Sequence, residues 1–346
     1  MGSPAADENY MQRAIELAQL GLGTVSPNPL VGCVIVKHGQ IIGEGYHQQY
    51  GKAHAEVNAV NDVLNKEEIA GSDVYVTLEP CSHHGKTPPC SDLLISLKVS
   101  TVKMACLDPN PKVAGNGKRK LEDAGIKVEV GLLGAESQLM NRRFLRFYEK
   151  KRPYIIFKWA QTADGFIARK NYDSKWISNS YSRTLVHKWR AEEDAILVGK
   201  NTALYDDPKL NVRDWTGSHP IRILIDHQLQ VPSSHHLLDG SIPTLVFNTQ
   251  KEEVQHNLEW IKIDPGHSAG HLLHHLWERR IQSIIIEGGS KTIQQFANED
   301  LWDEARVFSS SIKFGEGIEA PAISGNLLDQ FNVEGDSLKI IQNRHG

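Results

Sequence analysis

The sequence lacks any run of about 18 apolar residues, so a helical membrane span is not expected. No secretory leader is expected either. Met1-Gly2-Ser3-Pro4-Ala5-Ala6 has neither a basic stretch nor an apolar core, and Ala6 stands where a myristoylation signal needs Ser or Thr. Cysteine is scarce, with 4 in 346 residues, which makes no disulfide framework; the expected compartment is the reducing cytoplasm. An excess of positive charge is missing too. The 38 Lys and Arg against 42 Asp and Glu leave a net charge of −4, which removes the general electrostatic basis for holding a nucleic acid. No G-x-G-x-x-G follows a predicted strand. Gly21-Leu22-Gly23 lacks the third glycine and trails a helix, so a Rossmann domain is unsupported. Internal repeats and low-complexity tracts are absent as well.

What remains is an ordinary globular composition, 40% apolar and 23% charged. At roughly 100–200 residues per domain, the length argues for two domains. All four cysteines fall in the first third, whereas every tryptophan lies at Trp159 or beyond. The seam is expected within residues 142–152, giving domains 1–148 and 149–346. Six basic residues interleaved with aromatics there could serve as a nucleic-acid strip. The neutral-to-acidic flanks favour a solvated amphipathic helix leading into a linker.

In the first domain, Gln12–Leu20, His54–Leu64 and Asp92–Leu97 have helical spacing. Val31–Val36 and Ile41–Gly45 flank His38-Gly39-Gln40 as a hairpin, and strands are expected at Val74–Leu78, Val102–Cys106 and Lys127–Val130. The second domain alternates likewise. Its strands are expected at Tyr154–Trp159, Ala195–Val198, Ile221–Ile225, Thr244–Phe247, Ile281–Glu287, Ala305–Ser310 and Leu338–Gln342. Its helices are expected at Ser180–Glu192, His271–Arg280 and Lys291–Ala297. Both halves are therefore α/β.

The chemistry-bearing pattern is His54-Ala55-Glu56, then Pro80-Cys81 and Cys90. One imidazole and two thiolates give zinc three protein ligands, and a three-ligand zinc keeps a position for water. Water bound there is acidified toward neutrality. Glu56, two residues from His54 at a helix start, could move that water's proton to a departing amine without being a ligand. This is the H-x-E…P-C…C order of zinc-dependent nucleobase deaminases. The departure is in spacing: the general signature is P-C-x-x-C, and here 8 residues separate the cysteines. The competing reading is a closed zinc knuckle with His83 or His84 as fourth ligand, which leaves Glu56 unused. Cys33 and Cys106 lie in apolar strands and read as small core residues. His271, His274 and His275 read as a solvated helix face.

The stretch Glu79-Pro80-Cys81-Ser82-His83-His84-Gly85-Lys86-Thr87-Pro88-Pro89-Cys90 resembles the bifunctional deaminase/reductase family of riboflavin biosynthesis. So do Ser26-Pro27-Asn28-Pro29-Leu30-Val31-Gly32-Cys33 and Gly51-Lys52-Ala53-His54-Ala55-Glu56. In the second half Lys158–Gly165, Ser174–Ser178 and Gly199–Arg213 are similar to the reductase part of that family. The resemblance implies a cytidine-deaminase-like three-layer αβα domain followed by a dihydrofolate-reductase-like α/β domain. It implies zinc on His54, Cys81 and Cys90, with Glu56 as proton donor. It places Asn28 at the pyrimidine and Lys86 at the substrate phosphate.

For the reductase half the resemblance implies NADPH against Ala160, Trp176, Thr202, Asp206 and the turn Gly289, Ser290, Lys291, Thr292, Ile293, Gln294, Gln295. The ribose-phosphate substrate would meet Ser174, Arg190, Leu210, Arg213 and Glu287. Physical chemistry agrees in part. Ile284-Ile285-Ile286-Glu287-Gly288-Gly289-Ser290 reads as a strand, a glycine turn and a helix start, where backbone N–H groups can cradle phosphate. Arg190 and Arg213 offer fork-shaped donors for a phosphate dianion.

The expected partner is a small-molecule pyrimidine ribosyl phosphate, with no nucleic acid and no membrane; a homo-oligomer is allowed. Two rivals make different demands. A nucleic-acid deaminase requires salt-sensitive RNA retention, which the charge balance opposes. A zinc-stabilised scaffold requires Glu56 to be dispensable.

Overall fold

The computed structural model describes residues 4–82, 88–110, 114–175, 177–266 and 269–345. Its contacts divide the chain into two compact units, Met1–Lys150 and Lys151–Gly346. His83, His84, Lys86 and Trp176 lie outside the described residues. Among the described residues no helix is long and apolar enough to cross a membrane.

The first unit runs α1 (Pro4–Gln19), β1 (Gly32–Lys37), β2 (Gln40–Tyr46), α2 (Ala55–Asp62), β3 (Asp73–Val76), α3 (Cys90–Ser96) and β4 (Thr101–Met104). It ends with α4 (Asn116–Asp123), β5 (Lys127–Val130), α5 (Gly134–Met140) and α6 (Arg142–Lys150). The sheet order is β2-β1-β3-β4-β5, with β1 antiparallel to both neighbours and β3, β4 and β5 parallel.

Alternation along β1 sorts its side chains between two cores. Cys33 and Ile35 pack with Ala55, Ala59 and Val60 of α2, Leu94 of α3 and Leu121 of α4. Val34 and Val36 pack with Met11, Ala14 and Ala18 of α1 and Met140 of α5. The unit is therefore a three-layer αβα sandwich. At two positions of β2 the contact with α2 admits only glycine. A Cβ on Gly45 would stand 2.2 Å from the Ala59 nitrogen, and one on Gly43 would stand 2.5 Å from the Ala59 carbonyl oxygen. Their absence lets α2 lie close against β2, which sets where the start of α2 projects. The basic segment at 142–150 is the amphipathic helix α6, burying Phe144 and Phe147.

The second unit comprises β6 (Tyr154–Gln161), β7 (Phe166–Ala168), α7 (Ser180–Glu192), β8 (Ala195–Gly199), α8 (Lys200–Asp206), β9 (Ile221–Ile225) and β10 (Thr244–Asn248). It continues with β11 (Glu253–Gln255), β12 (Leu258–Lys262), α9 (Ala269–Glu278), β13 (Ser283–Ile286), α10 (Ser290–Asn298), β14 (Glu304–Ser309), β15 (Ile318–Glu319), β16 (Gly325–Val333) and β17 (Asp336–Asn343). Ten strands form one sheet in the order β11-β12-β10-β9-β8-β13-β6-β14-β17-β16. The run from β12 to β14 is parallel and the flanking pairs are antiparallel.

Near-continuous apolar strands such as Ile284-Ile285-Ile286 suit a parallel sheet covered on both faces. Ile284 and Ile286 meet Leu272 and Leu276 of α9 and Ile293 and Phe296 of α10. Ile285 meets Val186 and Trp189 of α7 on the other face. His271 and His274 are exposed on α9, with His274 beside Glu278 at 3.5 Å.

Candidate active sites

In the first unit, two helix starts and the loop that carries Cys81 converge. His54 caps the start of α2 in an extended conformation, and Cys90 is the first residue of α3. The Cys90 thiol lies 3.3 Å from His54 Nδ1 and the Cys81 thiol 3.6 Å from it. One ligand atom from each residue falls within 4.8 Å of the others. The backbone N–H of Cys90 donates to Cys81 Sγ at 3.3 Å. The Cys90 thiol, with burial opposing it and His54 adding to it, holds the Cys81 thiol well below its ordinary value. A Cys81 thiolate that accepts the N–H of a helix start, with an imidazole alongside, fits a soft divalent metal and suits zinc.

Glu56 is 3% exposed in the first turn of α2, and burial pushes its carboxyl upward. It neighbours Cys90 without belonging to the ligand group. The competing fourth ligands, His83 and His84, fall outside the described residues.

Two buried residues that sequence reasoning missed support this site. His47 Nδ1 stands 3.0 Å from the Ala53 carbonyl oxygen, and because a carbonyl oxygen can only accept, the ring hydrogen sits on Nδ1 and is donated to it. Its Nε2 is then the acceptor for the Asn28 amide at 3.0 Å. The ring lies edge-on to His54, with centroids 5.5 Å apart. His47 thus orients Asn28, which the resemblance places at the pyrimidine. Glu79, next to Pro80, accepts backbone N–H groups of Asp108 at 3.3 Å, Gly115 at 2.9 Å and Lys118 at 3.1 Å. Neither residue has a recognisable local signal, because the partners are distant in sequence. Cys33 and Cys106 are buried core thiols, as expected.

In the second unit, a cleft of about 870 Å³ opens over the ends of β8 and β13. Of the cofactor residues expected, Ala160, Thr202, Asp206, Gly289, Ser290, Lys291, Thr292, Ile293 and Gln295 line it. Trp176 lies outside the described residues. Gln294 does not line the cleft. One residue along α10 is about 100° of rotation, which turns its amide to Asn298 and Ala322 instead. Gly199 admits the first turn of α10, since a Cβ there would stand 2.3 Å from Thr292 Oγ1.

The expected substrate residues Ser174, Arg190, Leu210, Arg213 and Glu287 line the same cleft. Arg190 grips Glu287 through two N–H donors at 2.8 Å each and reaches the Asn211 carbonyl at 3.2 Å. Lys158 stands 3.8 Å from Glu287. Burial pushes the Glu287 carboxyl up, but Arg190 and Lys158 together outweigh it and hold the pKa at about 2. The Arg190 fork is thereby committed within the protein, which leaves the half-exposed Arg213 as the more available donor for an incoming phosphate. Ser174 donates its hydroxyl to Asp206 at 3.1 Å, and burial raises the Asp206 carboxyl.

Comparison with known proteins places both units. The family model for the cytidine and deoxycytidylate deaminase zinc-binding region matches residues 4–106, and that for the RibD C-terminal domain matches residues 153–344. The riboflavin biosynthesis protein RibD of Aquifex aeolicus is 42% identical over 90% of this chain and 89% of its own length. That of Escherichia coli is 40% identical over 87% of each. The crystal structure of the Thermotoga maritima diaminohydroxyphosphoribosylaminopyrimidine deaminase/5-amino-6-(5-phosphoribosylamino)uracil reductase superposes with a TM-score of 0.91. It is 37% identical, with 98% of this chain and 99% of that one covered. With the deaminase signature in one unit and the reductase match in the other, this chain belongs to the RibD family of bifunctional riboflavin-biosynthesis deaminase/reductases.

Proposed function

We propose that residues 1–148 remove the 2-amino group from a 2,5-diamino-6-ribosylamino-4(3H)-pyrimidinone 5′-phosphate, and that residues 149–346 then reduce the ribosyl group to a ribityl chain. The Thermotoga protein supports this substrate and order, because its named reductase acts on a uracil, the ring left after deamination. The cofactors are zinc for the first reaction and NADPH for the second. The observation carrying the reading is the meeting of His54, Cys81 and Cys90 beside a buried Glu56.

Zinc, held by those three side chains, supplies when bound the Lewis acidity that makes water a usable nucleophile near neutral pH. Glu56 accepts the water proton on its carboxylate and delivers it to the departing amino nitrogen, so ammonia leaves. Asn28, fixed by His47, faces the pyrimidine, and Lys86 meets the phosphate.

In the reductase cleft NADPH supplies the hydride, and the protein's task is orientation. Ala160, Trp176, Thr202, Asp206 and the turn from Gly289 to Gln295, without Gln294, hold the cofactor. Ser174, Leu210 and Arg213 hold the ribose phosphate, with Glu287 and its Arg190 partner forming the charged floor. We place both reactions in the cytoplasm.

The test measures ammonia release and NADPH oxidation together on the diamino substrate. Near-equal yields are expected, with NADPH loss trailing ammonia. In Glu56→Gln, ammonia release should fall by about 10³-fold with zinc retained. Ammonia without NADPH oxidation would overturn the account of the second unit, and full activity in Glu56→Gln would overturn that of the first.

A further inference from the structure

The segment from Leu210 to Asp214 brings two lining residues, Leu210 and Arg213, to the reductase cleft, yet it belongs to no helix or strand. Leu210 sits at φ 45°, in the left-handed region. A chain so placed needs partners for its backbone polar groups. Here side chains supply them. The Asn211 carbonyl accepts from Arg190 at 3.2 Å, the Val212 N–H donates to His219 Nδ1 at 3.2 Å, and the Arg213 N–H donates to His187 Nδ1 at 3.4 Å.

His187 is the most enclosed of these, 2% exposed on α7 and itself lining the cleft. Its other nitrogen, Nε2, stands 3.2 Å from a carboxylate oxygen of Asp214, and that same oxygen stands 3.5 Å from Arg213 Nε. The ring therefore reaches Arg213 twice, at its backbone N–H and, through Asp214, at its guanidinium. Both contacts hold together in one protonation state, a neutral ring with its hydrogen on Nε2.

We infer that His187 is a positioning residue of the reductase reaction, whose Nε2–H tautomer fixes the Arg213 backbone and side chain so that the guanidinium faces the substrate phosphate. The electrostatic surroundings favour the neutral ring. Burial, reinforced by the Arg190 and Arg213 charges, lowers the His187 pKa to about 4, against the pull of Asp214 and the Asn211 carbonyl.

The inference rests on the reading of Arg213 as a phosphate ligand, and the experiment separates the two. The full chain with zinc and NADPH is assayed on the deaminated substrate as wild type, His187→Leu, His187→Asn and Arg213→Met. Losing one backbone acceptor should raise the substrate KM about tenfold in His187→Leu, with kcat and the NADPH KM held within about twofold. His187→Asn, whose amide oxygen can take the place of Nδ1, should recover most of that loss. If Arg213→Met raises the KM and His187→Leu does not, the positioning role is overturned and the phosphate reading stands. A flat KM in Arg213→Met removes both. Should His187→Leu fail to fold, ¹⁵N spectra of the wild-type imidazoles decide at neutral pH. An Nε2–H tautomer for His187 supports the role, and an Nδ1–H tautomer or an imidazolium overturns it.

Discussion

Glu79 illustrates how much a single side chain can organise around a reaction it does not perform. It lies two residues before Cys81, the proposed zinc ligand, and its carboxylate gathers three backbone amides from the segment that follows β4. Gly117 permits the close approach, since a Cβ there would stand 2.1 Å from the Pro80 carbonyl oxygen. Hydrogen bonds to a charged group are the stronger kind, and buried N–H groups left without partners are costly. Glu79→Ala is therefore expected to destabilise the first unit by about 3 kcal/mol, read as a lower urea midpoint, and to hasten zinc loss on dialysis. An unchanged midpoint would show that other contacts hold the segment. At this scale the sequence was legible where a reaction demands unlike residue types in a fixed order: His54, Glu56, Cys81 and Cys90. His47 and Glu79 were not legible, because Asn28 is 19 residues from His47 and the Glu79 partners lie 29 to 39 residues away. Sixteen histidines carry no label for the one that points inward.

Between elements, the main electrostatic tie of the reductase cleft joins α7 to the end of β13. Arg190 projects from the last turn of α7, Glu287 follows β13, and Lys158 comes from β6. The Glu287 carboxyl moves from an ordinary 4.5 to about 2 on folding. A depressed carboxyl pKa stabilises the fold above the unfolded-state value, and that stabilisation is lost as the pH falls toward the folded-state value. The window is thus pH 4.5 down to 2, and the size is at most about 3 kcal/mol. Glu287→Gln should lose that increment near neutral pH, and its stability curve should meet the wild-type curve toward pH 2. Parallel curves through the window would refute the assignment. Periodic elements such as α7, with residues 180–192, could be read from sequence because one face is apolar and Asn179 caps it. The edge strand β16 could not. Both its faces are solvated, with Asp329, Gln330 and Asn332 interleaving Leu327, Leu328 and Phe331, so no period of two survives. Short α8 and the antiparallel strand β11 escaped for the same reason: they bury too little to imprint a pattern.

For the whole molecule, the decisive feature is that each chemistry is assembled inside one unit. The proposed zinc ligands and Glu56 fall within residues 54–90, and the cleft residues from Lys158 to Ile318 all belong to the second unit. Two motif sets in one chain were legible because each keeps its own local spacing. The commitment of Arg190 to Glu287 was not, since the two are 97 residues apart and become neighbours only when the parallel sheet forms. Self-contained sites have a testable chemical consequence. A chelator that strips zinc should abolish ammonia release from the diamino substrate while leaving NADPH oxidation on a supplied deaminated substrate within about twofold of the untreated rate. Added zinc should restore the first activity without changing the second. Should chelation silence both reactions on their separate substrates, metal loss must also disturb the second unit, and the two chemistries would have to be treated as one coupled machine rather than two sites on one chain.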